Sequence, residues 1–350
     1  MKILVTGATG FVGYHVAKKC VEKKWGDIFC LVRAESEKKF VQALPVKMVQ
    51  GDLKDKRSLE HALDGCELLF HVAADYRLWS KDPEEIIRSN VNGTENILEL
   101  AGSKNVRKVV YTSSVSAVGR PEREKTLLTI AHGQEEKKRN EWIKQLCGNE
   151  TMDPTPEQLI GPYKKSKYLA ELVARQFARK GLSIVIVNPS TPMGSHDVKP
   201  TPTGKLILDF LNRRMPGYLE TGLNLVDVED VAEGHLLAAE NGRTGERYIL
   251  GNKNLMLKEI LDLLEKVTGL PAPKLKVPYW IAYGAALFST TLSHVTGKSP
   301  AIPLDGVKMA REIMFYDSSK AVSELGMPQN SIEMAMEKAA HFFRNNGYVK

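Results

Sequence analysis

A tyrosine and a lysine four residues apart could together move a proton. Tyr163 and Lys167 open a stretch with helical periodicity, Tyr163–Arg179, and positions i and i+4 lie on one face of a helix. A free tyrosine titrates at about pH 10, too high for a base at neutrality, but a neighbouring ammonium lowers its pKa. We therefore expect Tyr163 to exchange a proton with a substrate oxygen while Lys167 stabilises the phenolate.

A glycine-rich turn close to the start of the sequence could bind phosphate. It lies between a strand-like run, Ile3–Val5, and a helical pattern, Phe11–Lys24. A helix N-terminus binds phosphate through its N–H groups and dipole, and glycines let a pyrophosphate approach closely. The sequence thus predicts a dinucleotide cofactor on this turn. The turn residues expected to contact the cofactor are Gly7, Thr9, Gly10, Phe11, Val12 and Gly13.

The end of the second predicted strand bears on the choice of dinucleotide. The run Ile28–Val32 ends at Arg33 and not at an acid. At this place an acid accepts a hydrogen bond from the ribose 2′-hydroxyl of NAD, whereas an arginine matches the 2′-phosphate of NADP. Arg33, helped by Lys38, therefore favours NADP(H), and NAD(H) is the alternative.

Strand-like and helical patterns alternate through the first half of the chain. Short apolar strands that alternate with helices indicate a parallel sheet with helices on both faces. The predicted strands are Ile3–Val5, Ile28–Val32, Val46–Val49, Leu68–Val72, Val109–Thr112 and Ile184–Val187. The predicted helices are Phe11–Lys24, Ser58–Leu63, Pro83–Ala101, Tyr163–Arg179, Leu255–Thr268 and Ile332–Asn345.

These elements predict an α/β fold, a Rossmann-type doubly wound parallel sheet with a smaller C-terminal substrate-binding domain. We expect the NAD(P)-binding domain to cover residues 1–190 and the substrate domain residues 191–350, with segments of the latter returning to the main sheet. The long charged stretch over residues 120–160 interrupts the alternation. It is either a flap beside the active site or a solvated surface excursion.

The motifs also occur in a recognisable order. The spacing G-x-x-G-x-x-G, the run Thr112-Ser113-Ser114 and the pair Tyr163 and Lys167 resemble the extended short-chain dehydrogenases/reductases, of the NAD(P)-dependent epimerase/dehydratase family. Longer stretches resemble the hopanoid-associated sugar epimerase group, which is close to dihydroflavonol 4-reductase-like enzymes. They are His71–Trp79, Ile160–Tyr163, Asn188–Gly204 and Gly222–Val231.

The resemblance implies roles for further residues. It makes Ser114 the catalytic serine that polarises the substrate oxygen, with Ser113 as the fallback, beside Tyr163 and Lys167. Lys167 is also expected to hold the nicotinamide ribose. The other implied cofactor contacts follow the strands: Asp52, Leu53, Ala73, Ala74, Thr112, Pro189, Ser190 and Thr191.

Substrate residues are expected at the carboxyl ends of the strands, where ligands bind in open α/β sheets. The candidates are Asp75, Tyr76, Trp79, Ser114, Asn188 and Lys199. The substrate is a carbonyl compound or a nucleotide sugar. Two reactions fit: net reduction of a carbonyl or oxidation of an alcohol, and epimerisation of a nucleotide sugar with retained NAD(P). A non-catalytic member of the fold is a third possibility, against which the intact Ser114, Tyr163 and Lys167 argue.

Composition narrows the class of protein. The formal net charge of +7 is spread along the chain in small clusters, whereas nucleic-acid-binding proteins concentrate it on one face. The four cysteines form no C-x-x-C motif, so no metal site is predicted. We expect a cytoplasmic enzyme with reduced thiols and no signal peptide. The family resemblance implies a homodimer that forms through the helix bearing Tyr163.

One segment could contact lipid. Tyr279–Thr296 has apolar residues at helical spacing, with no charge apart from His294. The periodicity predicts a buried helix of the substrate domain. An apolar lid or a contact with a membrane lipid is the alternative.

Overall fold

The computed structural model describes residues 1–121, 136–296 and 299–349. Its main sheet is built from β1 (Lys2–Thr6), β2 (Asp27–Val32), β3 (Lys47–Gln50), β4 (Leu68–His71), β5 (Lys108–Thr112), β6 (Ile184–Pro189) and β9 (Arg247–Leu250). These seven strands lie in the order β3-β2-β1-β4-β5-β6-β9, and every neighbouring pair is parallel. The Rossmann-type α/β fold expected from the sequence is confirmed.

A smaller mixed sheet follows in the second half of the chain. It contains β7 (Thr191–Met193), β8 (Gly222–Asp227), β10 (Lys253–Met256) and β11 (Ile313–Met314), with β8 paired to each of the other three. The two sheets are joined in sequence, because β7 begins two residues after the end of β6. One strand from beyond residue 190, β9, lies in the main sheet next to β6.

Helices cover both faces of the main sheet and pack beside the second one. In chain order they are α1 (Phe11–Glu22), α2 (Lys56–Leu63), α3 (Pro83–Ser103), α4 (Glu136–Leu146), α5 (Gly161–Arg179), α6 (Pro202–Leu211), α7 (Val228–Asn241), α8 (Leu257–Thr268), α9 (Tyr279–Thr296), α10 (Leu304–Met309) and α11 (Ile332–Asn345). α1 packs against α7, and α3 packs against α5 and α2. α6, α8 and α11 share a separate apolar core in the C-terminal half.

Strand register brings the predicted functional segments to one edge of the main sheet. Thr6 lies beside His71, His71 beside Tyr111, and Thr112 beside Val187. Each of these residues lies within two residues of the carboxyl end of its strand. The glycine turn, the serines after β5 and the loop after β6 therefore meet at this edge, as parallel strands require.

The predicted flap is described only in part. Residues 122–135 of the stretch 120–160 lie outside the described residues. The described remainder contains α4 and is held to the body of the protein by several hydrogen bonds: among them, Gly119 N donates to Met152 O at 2.9 Å, and Gly148 N donates to Phe315 O at 3.0 Å.

The prediction that Tyr279–Thr296 is a buried helix is wrong in its burial. The helix is present with the expected bounds as α9, but Trp280 is 73% exposed and Phe288 is 72% exposed. The apolar periodicity was sufficient to predict a helix. It could not say whether another element of the chain covers the apolar face. Among the described helices, none is both long enough and apolar enough to cross a bilayer.

The buried carboxylate of Glu171 links α5, β6 and β9 through hydrogen bonds. Glu171 on α5 is fully buried and accepts hydrogen bonds from Arg175 at 2.5 Å, from Asn188 of β6 at 2.7 Å and from Arg247 of β9 at 3.3 Å. A buried charge is tolerated only when it is paired and hydrogen-bonded. Both guanidinium groups are also close to Asp153, at 2.8 Å from Arg175 and 3.3 Å from Arg247.

Glu171→Gln should lower the free energy of unfolding by about 3 kcal/mol, because it leaves two largely buried guanidinium groups short of a partner. Denaturant unfolding followed by circular dichroism measures the change. Glu99→Gln is the matched control: Glu99 pairs with Lys56 on the surface, and both side chains are more than half exposed. Loss of such an exposed pair should cost less than about 1 kcal/mol. Equal effects of the two substitutions would refute the role given to Glu171.

Candidate active site

The glycine turn after β1 is shaped by close contact with the loop after β4. Gly7 has φ +74°, and a Cβ there would lie 2.7 Å from the backbone nitrogen of Ala73. A larger residue would therefore suffer both strain and a clash. Gly10 N donates to Gly7 O at 2.8 Å and closes the turn. The backbone of Ala73 therefore lies directly against the glycine turn, and the cofactor contacts expected of Ala73 and Ala74 stay predictions.

The first turn of α1 has the features of a phosphate site. Gly10 occupies the N-cap position, and no described side chain caps this helix end or adds an acid to its first turn. The first N–H groups of a helix have no partner within the helix, so here they are available to an anion. Thr9, Phe11 and Val12 supply the neighbouring backbone, as the sequence predicts.

A neutral histidine orders the loop that faces the turn. Thr6 Oγ1 accepts hydrogen bonds from Val72 N and Ala73 N, both at 3.1 Å, and lies 2.9 Å from Nδ1 of His71. Burial lowers the pKa of His71 to about 3, and the nearby Lys167 adds to this effect. His71 is therefore uncharged at neutral pH. Through Thr6 it helps to fix the position of the backbone of Val72 and Ala73, against which a cofactor would lie.

The residues predicted to contact the adenosine half of the cofactor follow β2 and β3. Arg33 follows β2 with its side chain 58% exposed, 3.4 Å from Glu35. Lys38 Nζ donates to Ala34 O at 3.2 Å. Asp52 accepts a hydrogen bond from Lys54 N at 2.9 Å. The Arg33–Glu35 pair is exposed and so is weak, which leaves the guanidinium able to exchange this partner for a phosphate.

A segment that the sequence did not connect to the turn packs over it. The ring of His196 stacks on Tyr14 with centroids 4.5 Å apart, and His15 Nε2 lies 2.9 Å from Ser195 O. A pocket there is lined by Thr9, Gly10, Tyr14, His196 and Lys199, together with Ala8, Glu37, Phe40, Val41 and Val198. No local spacing links α1 to residues 195–199, so only the folded chain reveals these neighbours of the turn.

Lys167 is held by the strand that precedes the candidate serines. Its Nζ donates to Thr112 O at 2.8 Å and lies over the ring of Tyr111, 5.6 Å from the centroid. The side chain of Thr112 is itself engaged with His235 at 2.9 Å. Burial lowers the pKa of Lys167 to about 8, partly opposed by the charge of Glu171.

Tyr163 lies next to two serine side chains. Burial raises the pKa of Tyr163 above its ordinary value, and hydrogen bonds with Ser114 and Ser116 only partly oppose this. The sequence-based expectation of a lowered pKa is wrong in this structure. The physical reason is that removing a phenolate from water outweighs its stabilisation, while the Lys167 ammonium donates to a backbone carbonyl. At neutral pH, Tyr163 is therefore a protonated donor.

Ser114 is the better placed of the two candidate serines. Its Oγ accepts a hydrogen bond from Ser116 N at 3.1 Å, and it contacts Tyr163 as described. Its carbonyl accepts from Asn188 Nδ2 at 3.0 Å. Asn188 is fully buried and its amide nitrogen also donates to Glu171, while its Oδ1 has no hydrogen-bond partner among the described residues; the predicted substrate contact of Asn188 stays a prediction.

A second asparagine fixes the start of the catalytic helix. Asn90 Nδ2 donates to Ser166 Oγ at 2.8 Å and to Asp75 O at 2.9 Å, and Asn90 Oδ1 accepts from Asp75 N at 2.7 Å. Ser166 Oγ in turn donates to Tyr163 O at 2.8 Å. Asn90 therefore joins α3, the loop after β4 and the turn of α5 that carries Tyr163.

Two buried hydroxyls fit a bound polar group. Ser113 Oγ and Ser190 Oγ have no hydrogen-bond partner within the described parts of the chain. Buried polar atoms are rarely left unpaired, so an orphaned hydroxyl at a predicted site suggests a ligand contact. Ser190 lies between Pro189 and Thr191 in the segment expected to meet the nicotinamide carboxamide. The glycine cradle, the uncapped helix end and this hydroxyl together fit a nicotinamide dinucleotide.

Three of the predicted substrate residues, Asp75, Tyr76 and Trp79, follow β4, and the first two are engaged with other side chains or backbone groups. Asp75 accepts three hydrogen bonds from the Arg77 side chain, at 2.6 to 3.0 Å, which leaves its charge largely satisfied. Tyr76 OH donates to Lys199 O at 3.0 Å and so bridges the loops after β4 and β6. Trp79 is half-buried in the same loop.

Two buried cations near the catalytic helix were missed from the sequence. Lys164, next to Tyr163, is 3% exposed, and Arg120 is 8% exposed. Burial and the charge of Arg120 lower the pKa of Lys164 to about 7. Arg120 Nη1 donates to Tyr316 OH at 3.0 Å. A charged residue in a polar stretch gives no local sign of burial, which depends here on the distant residues 312–316.

Metal chemistry has no support in the described residues, among which no group of three potential His, Cys, Asp or Glu ligands is found. All four cysteines are buried free thiols.

Comparisons with known proteins show the family and the fold. The model of the NAD dependent epimerase/dehydratase family matches residues 3–251. The chain is 48% identical over 350 residues to the "Putative dihydroflavonol 4-reductase" of Synechocystis sp., with 99% of this chain and 95% of the relative covered. It is 31% identical over 353 residues to sterol demethylase protein B of Methylococcus capsulatus, with 100% of both covered. The crystal structure of a nucleoside-diphosphate-sugar epimerase from Pseudomonas aeruginosa superposes with a TM-score of 0.76 at 26% identity, covering 100% of this chain and 99% of that one.

Turnover should fall as the pH rises through about 8, because the buried Lys167, whose pKa is lowered to about 8, then loses its charge. The measurement is the pH profile of kcat/KM, which reports groups of the free enzyme. Lys167→Arg is the matched comparison, since a guanidinium stays charged throughout. Its residual activity should lack this descending limb. A limb that persists unchanged in Lys167→Arg would show that another group titrates there.

Proposed function

This chain belongs to the NAD dependent epimerase/dehydratase family, and we propose that it catalyses NADP(H)-dependent reduction of a carbonyl compound or oxidation of the corresponding secondary alcohol. The observation that carries the proposal is the convergence of Ser114, Tyr163 and Lys167 at the carboxyl edge of the main sheet. The glycine turn lies at the same edge, so a dinucleotide held on the turn can extend toward these three side chains.

The chain's own residues would hold the cofactor in two regions. The glycine turn and the first turn of α1 would bind the pyrophosphate, and Arg33 would meet the 2′-phosphate. Ser190 would donate to the carboxamide, and Lys167 would hold the nicotinamide ribose. When bound, the nicotinamide supplies or accepts the hydride of the reaction.

The same residues account for the proton of a reduction. Tyr163, kept protonated by burial, donates its phenolic proton to the substrate oxygen as negative charge develops there. Ser114 donates a second hydrogen bond to that oxygen, which stabilises the developing charge. Asn90, Ser166 and Asn188 hold these groups in place through the contacts described above.

The substrate class is proposed from the relatives and from the loop after β4. The two relatives are named for a dihydroflavonol and a sterol, which are ring compounds without formal charge. Trp79 and Tyr76 at the strand end offer aromatic faces to such a ring. We therefore propose a ring compound that carries a carbonyl or a secondary hydroxyl.

Epimerisation of a nucleotide sugar with retained NAD is the second candidate. The similarity to the Pseudomonas aeruginosa epimerase at 26% identity favours it. Arg33, which follows β2, argues against epimerisation because it favours NADP(H). An enzyme that oxidises and reduces the same carbon has no need of an exchangeable NADP(H). Purification with bound NAD that resists dialysis would favour the epimerase.

Tyr163→Phe should lower kcat by about a hundredfold or more while NADPH affinity stays nearly unchanged, because the substitution removes only the donated proton. Turnover with NADPH on a panel of ring ketones and fluorescence titration of NADPH make the two measurements. Tyr168→Phe, five residues further along the same helix, is the control and should retain activity. Normal turnover by Tyr163→Phe would overturn the proposed mechanism.

Arg33→Asp should weaken NADPH binding by roughly tenfold to a hundredfold, because a charged hydrogen bond to the 2′-phosphate is replaced by repulsion. NADH affinity should change little or improve. Comparison of the two dissociation constants by calorimetry gives the answer. Tighter binding of NADH than of NADPH by the unsubstituted protein would refute the proposed cofactor preference.

A further inference from the structure

The two most exposed large apolar side chains of the described chain lie on one helix, together with three others that are nearly half exposed. α9 carries Trp280, which is 73% exposed, Phe288, which is 72% exposed, and Leu292, which is 49% exposed. Ile281 and Leu287 on the same helix are 45% and 48% exposed. Single exposed apolar residues need no explanation, but a contiguous group of large ones marks an interaction surface.

These side chains form one continuous face. Their positions, 280, 281, 287, 288 and 292, follow the helical repeat and lie on one side of α9, together with the exposed Gly284 and Thr291. The other side faces the protein, where Ala286 and Ser293 are buried and the helix packs against α10. We call the exposed side the α9 face.

The α9 face can be buried in an apolar medium without leaving its hydroxyl groups unpaired. Two exposed hydroxyl residues of the helix bond to carbonyls of the helix itself: Thr291 donates to Leu287 O at 2.9 Å, and Thr296 donates to Leu292 O at 2.9 Å. Burial of an unpaired hydroxyl would be costly. These bonds remove that cost when the face is transferred to an apolar medium.

The positively charged residues on either side of α9 favour binding to an anionic surface. Between Val277 and Gly297 the sequence has no Asp, Glu, Lys or Arg. Lys274 and Lys276 precede this stretch, and Lys298 follows it. Lys274 is exposed, and Lys276 is 56% exposed while it pairs with Glu220. An apolar helix face with Trp and Phe, flanked by lysines, has the composition of helices that lie in the membrane interface.

We propose that the α9 face docks the protein on the surface of a lipid bilayer with anionic headgroups, with Trp280 and Phe288 inserted among the lipids. The helix lies in the plane of the interface and does not cross it, in keeping with the hydropathy finding above. A second copy of the chain is the competing occupant. The sequence predicts dimerisation through α5, which exposes Leu169 and Leu172. The α9 face would therefore remain exposed in a dimer formed through α5.

The position of α9 relates this surface to the catalytic helix. α9 packs against α10, and α10 abuts the first residue of α5: a Cβ on Gly161 would lie 2.6 Å from Asp305 Oδ2. Gly161 precedes Tyr163 by two residues. A bilayer bound to the α9 face is therefore close to the substrate side of the site. Only this last point rests on the proposed function.

The test is flotation of the full-length protein with vesicles of phosphatidylcholine, alone and mixed with phosphatidylglycerol. We expect the protein to float with the mixed vesicles and less with phosphatidylcholine alone. Trp280→Ser combined with Phe288→Ser should lower the partition coefficient by at least about tenfold, since two large apolar anchors are lost. Met334→Ser is the matched control, because Met334 on α11 is 56% exposed but lies outside the α9 face.

The outcomes separate the possible occupants. No flotation of the unsubstituted protein, or equal flotation of the α9 variant and the control, overturns the proposal. Light scattering on the same samples detects the competing case, in which the α9 variant loses an oligomeric contact and neither protein binds vesicles. NADPH binding by the variants shows that they are folded. Flotation does not depend on turnover, so its result is independent of whether the proposed reaction is correct.

Discussion

The carboxylate of Glu171 is the constraint on which the arrangement of the active site depends. It is fully buried, so it must be surrounded by donors, and each donor comes from a different part of the chain. Arg175 is on its own helix, Asn188 ends β6 and Arg247 begins β9. Through Asn188 the constraint reaches the carbonyl of Ser114, and through α5 it reaches Tyr163 and Lys167. One charge therefore fixes the distance between the helix that carries the tyrosine and the strand end that carries the serine.

This constraint also explains why a strand from the second half of the chain belongs to the main sheet. Arg247 comes from β9, which follows the small sheet in sequence and pairs with β6. Without β9 the carboxylate would lose one of its guanidinium partners, and the edge of β6 would be open. Residues 1–190 and residues 191–350 are therefore not structurally independent of each other around the helix that carries Tyr163, because β9 from the second part lies in the main sheet.

Much of the fold could be predicted from local patterns, because short-range physics determines them. The helix over 332–345 and the bounds of α9 came directly from periodicity, and the glycine turn from its spacing between a predicted strand and a predicted helix. Properties that depend on distant residues could not be obtained in this way. The stack of Tyr14 on His196, the burial of Lys164 beside Arg120 and the exposure of α9 each depend on what the rest of the chain places nearby.

The pKa of Tyr163 is another property that local sequence patterns could not predict, because it depends on distant residues. A lysine four residues away on a helix suggests a lowered pKa, and the spacing is indeed present. In the folded chain, however, the ammonium of Lys167 donates to Thr112 O, and both side chains lie where charge is poorly solvated. Burial therefore acts against the phenolate of Tyr163 and against the ammonium of Lys167 alike. This moves the two pKa values apart, with that of Tyr163 raised and that of Lys167 lowered to about 8, and the state favoured at neutrality is a protonated phenol beside a lysine that titrates only slightly above neutral pH. Such a site is prepared to donate a proton to an oxygen that gains negative charge, which is the requirement of carbonyl reduction.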